Sequence, residues 1–442
     1  MRRSSARPPP LLNQPAHAPE EPPLTPVAAP SRPAYDELSV SSLDFWAATA
    51  EERDKTFKVL RENRPVSWHR PLDGSLMPPE NDGVWVVTSH VLVREVSRKA
   101  KIFCSGRGFQ FEEVPEDILT AAGSFLGMDD PRHAKLRRLV STAFTPKQIA
   151  KIHDQIRNQA KVIVDDLLAA PEGDFVSAVS KKLPMWTIYE MVGLDDQEAR
   201  ELAAHHADGM VSWADEDVAA GREPGGGLND ALVGPPEIGY DLAAQRPISP
   251  RNDLMTNLVQ AEVDGEQLTD EEIASFFVLL SVAGNDTTRN SITLTTKTFQ
   301  GFPDQRDLLL ADFDNRIDDA VEEFVRFASP VMTFRRTATQ DVELGGQFIR
   351  EGDWVAIIYS SANRDSKVFA DPDRFDITRT NNPHLGFGGG GPHNCMGNFV
   401  ARSQLREIFR ELLHRAPTLR VGEPEYLTGN FVRAVKSMPY TL

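Results

Sequence analysis

The chain has 442 residues, of which 40% are hydrophobic and 26% are charged, as is typical of a globular protein with a large buried core. Its formal net charge of -17 argues against a general nucleic-acid-binding protein or a protein bound to anionic membranes, because either surface needs an excess of Lys and Arg. Cys104 and Cys395 are the only cysteines and no CxxC pair occurs, which argues against a disulfide scaffold or a structural zinc site. A reduced, cytoplasmic setting is therefore expected.

The first 35 residues differ in composition from the rest of the chain. They contain ten prolines, between positions 8 and 33, together with Ala, Glu and Ser and almost no aromatic residues. A segment of this kind cannot bury enough apolar surface to order itself. No apolar run follows the two arginines at its start, and no stretch of 18 apolar residues occurs elsewhere, so no export signal and no membrane anchor are expected. We predict a disordered Pro-rich tail over residues 1–35 and a single domain over residues 36–442.

Most of the sequence after the tail shows helical spacing, whereas residues 84–88 (VWVVT) and 354–359 (WVAIIY) have the composition of strands. Asp130 and Pro131 provide an N-cap and a first-turn proline for a helix that runs to about Phe144. The predicted buried stripe of this helix comprises Leu136, Leu139, Val140 and Ala143. The expected fold class is mainly α with small β-sheets (α+β).

A long apolar helix is predicted to cross the core after a capping box formed by Thr269 and Glu272. The polar run AGNDTT, residues 283–288, interrupts this helix with an acid, two hydroxyls and a glycine. Inside a helix a glycine costs about 1 kcal/mol relative to alanine. Polarity of this kind in a buried helix needs an explanation.

Two interpretations of the polar run are open. In the first, the hydroxyls of Thr287 and Thr288 hydrogen-bond to the preceding turn. Asp286 then pairs with Arg289, and the run has a structural role only. In the second, the acid and a hydroxyl serve the chemistry of a buried active site.

The stretch HLGFGGGGPHNCMG, residues 384–397, places Cys395 after a glycine-rich loop and just before another helical pattern. A thiolate that ligates iron needs backbone N–H groups directed at its sulfur, and glycines allow the backbone to fold that closely. Two other interpretations compete: Cys395 is an ordinary buried thiol, or Gly386, Gly388 and Gly391 form a dinucleotide-binding GxGxxG loop. The second lacks the strand that should precede it, because ITRTNNPH is polar and turn-like.

The cysteine loop resembles that of the cytochrome P-450 superfamily, whose pattern is a Phe, a glycine-rich turn, a His or Arg two residues before the Cys and a Gly two residues after it. The residues that fit are Phe387, Gly390, His393, Cys395 and Gly397. Eight positions separate Phe387 from Cys395, one more than in the commonest version, and some bacterial members share the extra residue. The resemblance covers most of the chain and implies a cytochrome P-450 fold, with a long central helix over the haem and the cysteine loop beneath it.

The resemblance also implies roles for individual residues. Cys395 would be the axial ligand of haem b, iron protoporphyrin IX. Asp286 and Thr287 would be catalytic, as a proton relay and as a hydrogen-bond donor in dioxygen activation. The cofactor-binding residues would be His133, Arg137, Ala283, Gly284, Arg336, Phe387, Gly388, His393, Cys395 and Gly397. The cationic members of this set would face the two propionates, because an acidic protein must gather local cations to hold them.

Glu323 and Arg326 lie three residues apart in VEEFVRF and therefore on one side of a helix. Taken alone, this spacing is typical of an exposed ion pair worth roughly 0.2–0.5 kcal/mol. The resemblance instead implies a buried Glu-Arg-Arg triad, completed by Arg374, that holds the cysteine loop against the haem.

The function implied by the resemblance is that of a haem-thiolate monooxygenase of the soluble bacterial class, which inserts one oxygen atom of dioxygen into an apolar small molecule. Electrons would come indirectly from NAD(P)H through a ferredoxin and a ferredoxin reductase, because the sequence has no flavin or nicotinamide motif of its own. A basic surface for an acidic ferredoxin is expected from Arg132, Lys135, Arg138, Arg402 and Arg406.

The substrate class follows from a narrower resemblance. AGNDTTRNSI (residues 283–292), the longer cysteine loop and the closing NFVRAVKSMP are similar to the actinobacterial subgroup that hydroxylates steroid side chains and methyl-branched lipids. Pocket loops are expected around residues 105–126 and 207–248. A macrolide, polyketide or terpenoid intermediate stays open as the alternative substrate.

Two alternative functions also stay open, namely a peroxygenase and a non-catalytic haem-binding sensor. The acid of Asp286 and the hydroxyl of Thr287 argue against both.

Overall fold

The computed structural model describes residues 31–442 apart from 74–76, 78, 80, 114–123, 142–143, 212–225 and 264. Residues Pro33–Leu442 form one compact unit by their mutual contacts. The disordered tail predicted over residues 1–35 lies almost wholly outside the described residues and stays a prediction.

Helices dominate the described chain. In chain order they are α1 (Leu43–Ala47), α2 (Ala50–Asn63), α3 (His90–Arg98), α4 (Arg132–Ser141), α5 (Pro146–Ala169), α6 (Lys182–Val192), α7 (Gln197–Val211), α8 (Gly226–Gln245), α9 (Leu254–Gln260), α10 (Asp270–Gly301), α11 (Pro303–Ala311), α12 (Phe313–Ala328), α13 (Tyr359–Ala362) and α14 (Asn398–Arg415). Within the part of the chain that the structure describes, none of these helices is long and apolar enough to cross a membrane.

The strands are short and form small sheets. In chain order they are β1 (Val66–His69), β2 (Val84–Val87), β3 (Phe103–Cys104), β4 (Glu172–Asp174), β5 (Glu262–Val263), β6 (Glu266–Gln267), β7 (Thr333–Ala338), β8 (Val342–Leu344), β9 (Gln347–Ile349), β10 (Trp354–Ile358), β11 (Arg420–Val421), β12 (Glu425–Tyr426), β13 (Val435–Ser437) and β14 (Pro439–Thr441). The largest described sheet has the order β1-β2-β10-β7-β3. The two strands predicted from composition are β2 and β10 of this sheet, and they pair in parallel with Trp354 opposite Val84. Abundant helices with small sheets confirm the predicted fold class.

The long helix α10 begins at the predicted capping box. The hydroxyl of Thr269 accepts from the N–H of Glu272 at 3.2 Å, and the Glu272 carboxylate accepts from the N–H of Thr269 at 3.0 Å. The 32 residues of α10 span about 48 Å at about 1.5 Å per residue. Its first half packs with α6, α7 and α8 in one hydrophobic cluster, and its second half packs with α5, α12 and α14 in another. The helix therefore crosses the core, as predicted.

Helix α4 is described from Arg132 to Ser141, and residues 142–143, which lie between Ser141 and the predicted end near Phe144, are outside the described residues. Its Asp130 cap is present, since Oδ1 of Asp130 accepts from the N–H of Ala134 at 3.1 Å. Three of the four residues in its predicted stripe are buried. The fourth, Ala143, lies outside the described residues.

The pocket loop predicted over residues 207–248 is wrong for much of its length, because Gly226–Gln245 form helix α8. Gly239 lets α8 pack closely on α10, since a Cβ atom there would lie 3.1 Å from the Cα of Ala274. Packing against a neighbouring helix thus overrides the low helix propensity of the Gly and Pro residues in this segment. Residues 212–225 lie outside the described chain.

Candidate active site

A cavity in the core lies between helix α10 and the loop that carries Cys395. The predicted site residues in its wall are Arg137, Ala283, Gly284, Asp286, Thr287, Arg336, Phe387, Gly388, His393, Cys395 and Gly397. His133 lies behind this wall, with the centre of its ring 4.2 Å from that of the His393 ring. The rest of the wall is mostly apolar and includes Phe109, Leu126, Ile188, Phe276, Leu279 and Phe431. The fold thus brings almost all of the predicted site residues to one cavity.

Glycines give the cysteine loop its shape. Gly388, Gly390 and Gly391 have φ angles of 99°, 83° and 82°, a region that residues with a Cβ atom rarely adopt. A Cβ atom at Gly391 would also lie 2.5 Å from a backbone oxygen at the end of α3. The loop closes where the N–H of Cys395 donates to the carbonyl oxygen of Phe387 at 2.8 Å. Helix α14 begins three residues later.

The side chain of Cys395 is half-buried and lines the cavity. Removal from bulk water raises the pKa of its thiol, although a hydrogen bond from the N–H of Gly397 and the charges of Arg137 and Arg402 act to lower it. A bound metal ion would reverse this balance, because a coordinated thiol is deprotonated. A Cβ atom at Gly397 would meet no atom within 4 Å, so the space beside the loop is open to a flat ligand.

A group of cationic side chains lies along one side of the cavity. Within the described residues neither Arg137 nor Arg336 forms an ion pair, and burial lowers the pKa of both guanidinium groups. The Nδ1 atom of His393 is buried and has no hydrogen-bond partner in the same part of the chain. Burial, followed by the charges of Arg336, His133 and Arg137, lowers the pKa of His393 to about 2. Buried arginines without an acidic partner require an anion, so Arg137 and Arg336, with the neutral ring of His393 beside them, fit the two carboxylates of a haem.

The polar run of α10 makes the contacts that the structural interpretation predicts for two of its residues. An Asp286 carboxylate oxygen lies 2.6 Å from Nη2 of Arg289, and both side chains are at most 5% exposed. The Thr287 hydroxyl donates to the carbonyl oxygen of Ala283 at 2.8 Å. Asp286 and Thr287 also line the cavity, as the catalytic interpretation requires. The two interpretations are therefore compatible, and a local bond does not remove either residue from the site.

Glu323 and Arg326 form a fully buried ion pair on α12, with both side chains 0% exposed. Nε and Nη2 of Arg326 each lie 2.7 Å from a Glu323 carboxylate oxygen. The arginine also donates to the carbonyl oxygens of Asn363 and Pro372, both at 2.8 Å. The pair thus ties α12 to the irregular chain that leads into the cysteine loop, and it is not the exposed pair of the alternative interpretation.

Arg374 was the wrong choice for the third member of the triad. Its side chain is 57% exposed and lies 3.8 Å from Asp304, and only its carbonyl oxygen takes part, by accepting from Arg326 at 3.1 Å. Arg379 occupies the predicted place, because it is 10% exposed and its Nε atom lies 3.4 Å from Oε2 of Glu323. Both arginines lie in the same irregular segment, where no periodicity indicates which side chain turns inward.

Four of the five residues predicted for a basic surface pair with acids, and the fifth, Arg138, is exposed. Arg132 and Lys135 pair with acids, namely Glu266 from the β5–β6 hairpin and, for Arg132, Glu272 at the start of α10. Arg402 and Arg406 pair with acids of α12. The exposed arginines of α3, Arg94 and Arg98, lie beside the cysteine loop instead. A Cβ atom at Gly390 would lie 3.0 Å from Nε of Arg98.

The fold and the cavity together define a haem-thiolate protein, because a long helix crosses above a cysteine loop shaped by glycines, and arginines with no acidic partner in the described part of the chain flank the space between them. The comparisons with known proteins agree. The cytochrome P450 family model matches residues 316–416. The methyl-branched lipid omega-hydroxylase of Mycobacterium tuberculosis is 38% identical over 427 residues, which cover 95% of this chain and 96% of the relative.

Two further relatives extend the match. The steroid C26-monooxygenase of Mycolicibacterium smegmatis is 37% identical over 408 residues, with 90% of this chain and 92% of the relative covered. A solved Mycobacterium marinum cytochrome P450 in complex with pseudoionone superimposes with a TM-score of 0.91 at 50% identity, with 93% of this chain and all of that chain covered. The chain belongs to the cytochrome P450 family. It is a monooxygenase of that family, whose members bind apolar substrates and take electrons from redox partners.

Proposed function

We propose that the protein hydroxylates a methyl-branched apolar lipid, such as a steroid side chain or a branched fatty chain, at a haem b ligated by Cys395. The observation that carries this proposal is the apolar wall of the cavity on the α10 side. The charged lining residues are Arg137 and Arg336 on the haem side and Asp286, which is paired with Arg289. A substrate above the haem therefore meets apolar surface, and its burial supplies affinity at about 25 cal/mol per Å² without a charged anchor.

The relatives support the choice of a branched lipid. One is named for methyl-branched lipids, one for the C26 position of steroids, and the solved relative holds pseudoionone, a branched terpenoid ketone. All three ligands contain a methyl-branched hydrocarbon chain. A wall of Phe109, Ile188 and Phe276 is suited to such a chain, because aromatic and branched side chains pack densely against methyl groups.

The chain's own residues would hold the cofactor and manage protons. The thiolate of Cys395 would ligate the iron, and Arg137, Arg336 and His393 would bind the propionates, with His133 packed behind them. When bound, the haem supplies the site at which dioxygen is reduced and activated. The mostly apolar wall would exclude bulk water, so that protons reach the site only through polar side chains.

Asp286 and Thr287 are the polar side chains placed for this task. The carboxylate of Asp286 would accept a proton on the side of Arg289 and release it toward the cavity. The Thr287 hydroxyl would turn from the Ala283 carbonyl, its present acceptor, and donate into the cavity. Both movements need only side-chain rotation, because each residue already lies in the wall.

The electron donor would be a ferredoxin reduced from NAD(P)H by a ferredoxin reductase. Arg94 and Arg98 are exposed on α3 beside the cysteine loop and form no ion pair with a described residue. An acidic ferredoxin would find there a basic surface next to the haem ligand on a chain whose net charge is -17. Reduction should slow as salt rises, since exposed charges are screened beyond about 8–10 Å.

Titration of the ferric protein with candidate ligands tests the substrate class. Steroids, methyl-branched fatty acids, pseudoionone and macrolides would each be added while the conversion of the iron from low spin to high spin is followed. Branched lipids should convert the largest fraction, and a ferredoxin system supplied with NADPH should then yield their hydroxylated products. Spin conversion by macrolides alone would replace the branched lipid with a macrolide as the proposed substrate. An absence of product with every ligand and electron donor would favour a haem-binding sensor.

A further inference from the structure

A salt-bridge network outside the cavity joins α12 to the cysteine loop. Nε and Nη2 of Arg402 donate to the Glu322 carboxylate at 2.5 and 2.8 Å, and Nε2 of His384 lies 3.0 Å from the same carboxylate. The N–H of Gly386 donates to Nδ1 of His384 at 3.1 Å, which places the ring proton on Nε2, toward Glu322. Burial acts to raise the pKa of Glu322, but the hydrogen bonds from Arg402 and His384 outweigh it and hold this pKa at about 2. The carboxylate is therefore an anion at every working pH.

Arg402 uses both the edge and the face of its guanidinium group. Its edge bonds to Glu322, and its Nη1 atom donates to Oδ1 of Asn398 at 2.6 Å. Its face lies 4.4 Å from the centre of the Phe387 ring. A planar group held along its edge and on its face has little freedom to move, so Arg402 fixes the positions of Asn398 and Phe387 relative to α12.

These two neighbours hold the backbone of the proposed haem ligand. The Nδ2 atom of Asn398 donates to the carbonyl oxygen of Cys395 at 2.7 Å. The carbonyl oxygen of Phe387 accepts from the N–H of Cys395 at 2.8 Å. Each polar backbone group of Cys395 therefore bonds to a residue that Arg402 contacts. The charge of Arg402 also acts directly on the cysteine sulfur.

We propose that Glu322 and Arg402 form a positioning brace for Cys395, in which Arg402 fixes the backbone of the haem ligand and Glu322 limits the positive charge that the ligand experiences. The proposal rests on the assignment of Cys395 as the ligand under the proposed function. Neither residue of the brace lines the cavity, so both act through Asn398, Phe387 and Cys395 and not by contact with substrate.

The two charges of the brace should shift haem reduction in opposite directions. One-electron reduction adds a negative charge at the haem, which a nearby cation stabilises and a nearby anion destabilises. Arg402→Met should therefore lower the midpoint potential, and Glu322→Gln should raise it. The equilibrium constant for reduction should change on the order of tenfold in each, as for one charge about 10 Å away at an effective dielectric constant of about 20. The double variant should lie close to the wild type.

The variant Arg402→Lys distinguishes the positioning effect of the Arg402 side chain from the effect of its positive charge. Lysine keeps the positive charge, but it cannot bond along a rigid edge and stack on Phe387 at the same time. We expect a midpoint potential close to that of the wild type. The red-shifted Soret band of the ferrous carbon monoxide complex should be lost several-fold faster on mild heating, because its loss reports displacement of the cysteine from the iron.

Arg406→Met is the matched control. Arg406 lies one turn further along α14, its side chain is 33% exposed against 34% for Arg402, and it pairs with Asp318 of α12 at 3.0 Å. No described contact joins it to Asn398 or Phe387. Its removal should leave the band stable and shift the potential much less than the removal of Arg402.

Reductive titration with dithionite and mediator dyes gives the potentials, and heating of the carbon monoxide complex gives the loss rates. Equal shifts in Arg402→Met and Arg406→Met, or shifts of the same sign in Arg402→Met and Glu322→Gln, would overturn the brace. A wild-type protein without the red-shifted band would refute the proposed function and the brace with it. A normal wild-type band, together with Arg402→Met and Glu322→Gln potentials equal to that of the wild type, would refute the brace but not the proposed function.

Discussion

Arg379 reaches the buried carboxylate of Glu323, with its Nε atom 3.4 Å from Oε2. The same carboxylate accepts from the backbone N–H of Asp376 at 2.9 Å and from the side-chain amide of Asn382 at 3.1 Å. Together with the Arg326 pair, these bonds attach the irregular chain before the cysteine loop to α12. Glu323 thus joins two parts of the molecule that are more than fifty residues apart in sequence.

Arg379→Met should destabilise the protein and lower its haem content, whereas Arg374→Met should do neither. Arg379 is 10% exposed beside a buried carboxylate, and the loss of one partner from a buried charge network costs up to about 3–5 kcal/mol. Arg374 is 57% exposed, and an exposed pair contributes about 0–1 kcal/mol. Urea unfolding and the ratio of haem to protein in the purified variants would measure both effects. Equal behaviour of the two variants would return Arg374 to the triad.

The features that the sequence predicted depend on residues close together in the chain. The capping box of α10 needs only Thr269 and Glu272, and the cysteine loop needs only the order of its glycines around Cys395. The strands β2 and β10 were likewise recognisable from their own composition. Local chemistry fixes each of these features, whatever the rest of the chain does.

The features that the sequence did not predict depend on distant partners. The inward turn of Arg379 follows from bonds that the surrounding segment makes with Glu323, and no local pattern marks it. No local pattern indicates that Arg132 forms an ion pair, because its partner Glu272 lies 140 residues away. The brace at Arg402 was missed for the same reason, because Glu322 lies 80 residues before it. The only local sign of the brace in the sequence is that a second glutamate, Glu322, directly precedes Glu323.

Cys395→Ala should abolish the red-shifted Soret band of the ferrous carbon monoxide complex, and Cys104→Ala should leave it intact. Cys395 lines the cavity, and its sulfur accepts a hydrogen bond from the N–H of Gly397. Cys104 is buried in β3 of the largest sheet, where burial raises the pKa of its thiol. The reverse pattern in the carbon monoxide difference spectra would move the ligand to Cys104.

Because of His69, the free energy of unfolding should fall as the solution becomes more acidic. Burial lowers the pKa of His69 to about 4 in the folded protein, against an ordinary value of 6.5. Between these values the unfolded chain binds a proton that the folded chain does not, so stability rises with pH across this window and falls as the pH drops through it. The slope from one such group is at most about 1.4 kcal/mol per pH unit.

His69→Gln should reduce the pH dependence of the unfolding free energy between about pH 4 and 6.5, because glutamine does not titrate there. Urea unfolding at several pH values would measure the slopes. An unchanged slope in His69→Gln would mean that His69 is protonated in the folded protein as readily as in the unfolded chain.

Arg335→Met should weaken substrate binding without disturbing the haem ligand. Arg335 is 1% exposed, its Nη2 atom donates to the Arg107 carbonyl oxygen at 3.0 Å, and its guanidinium group lies 3.7 Å from the centre of the Trp354 ring. It thereby holds the segment that carries Phe109, which lines the cavity. The ligand concentration for half-maximal spin conversion should rise several-fold while the carbon monoxide band stays normal. An unchanged titration would show that this segment keeps its position without the arginine.

Thr287→Ala should continue to consume NAD(P)H while diverting electrons from product to hydrogen peroxide. The Thr287 residue lines the cavity, and within the described residues its hydroxyl bonds only to the carbonyl oxygen of Ala283, at 2.8 Å, so its removal should leave the fold intact. Thr293→Ala is the matched control, because Thr293 makes the same bond to Arg289 on the same helix but does not line the cavity. Product and peroxide formed per NAD(P)H oxidised would separate the two variants.

Asp286→Asn should instead slow turnover, by a factor on the order of 10², because an amide cannot carry the proton that the carboxylate would deliver. An asparagine oxygen can still accept from Arg289, now 2.6 Å from the carboxylate, so the variant should fold and bind haem. A larger solvent isotope effect on turnover than in the wild type would identify proton delivery as the slowed step. Wild-type rates and product yields in both Asp286→Asn and Thr287→Ala would leave the polar run of α10 with only the structural role that its local contacts provide.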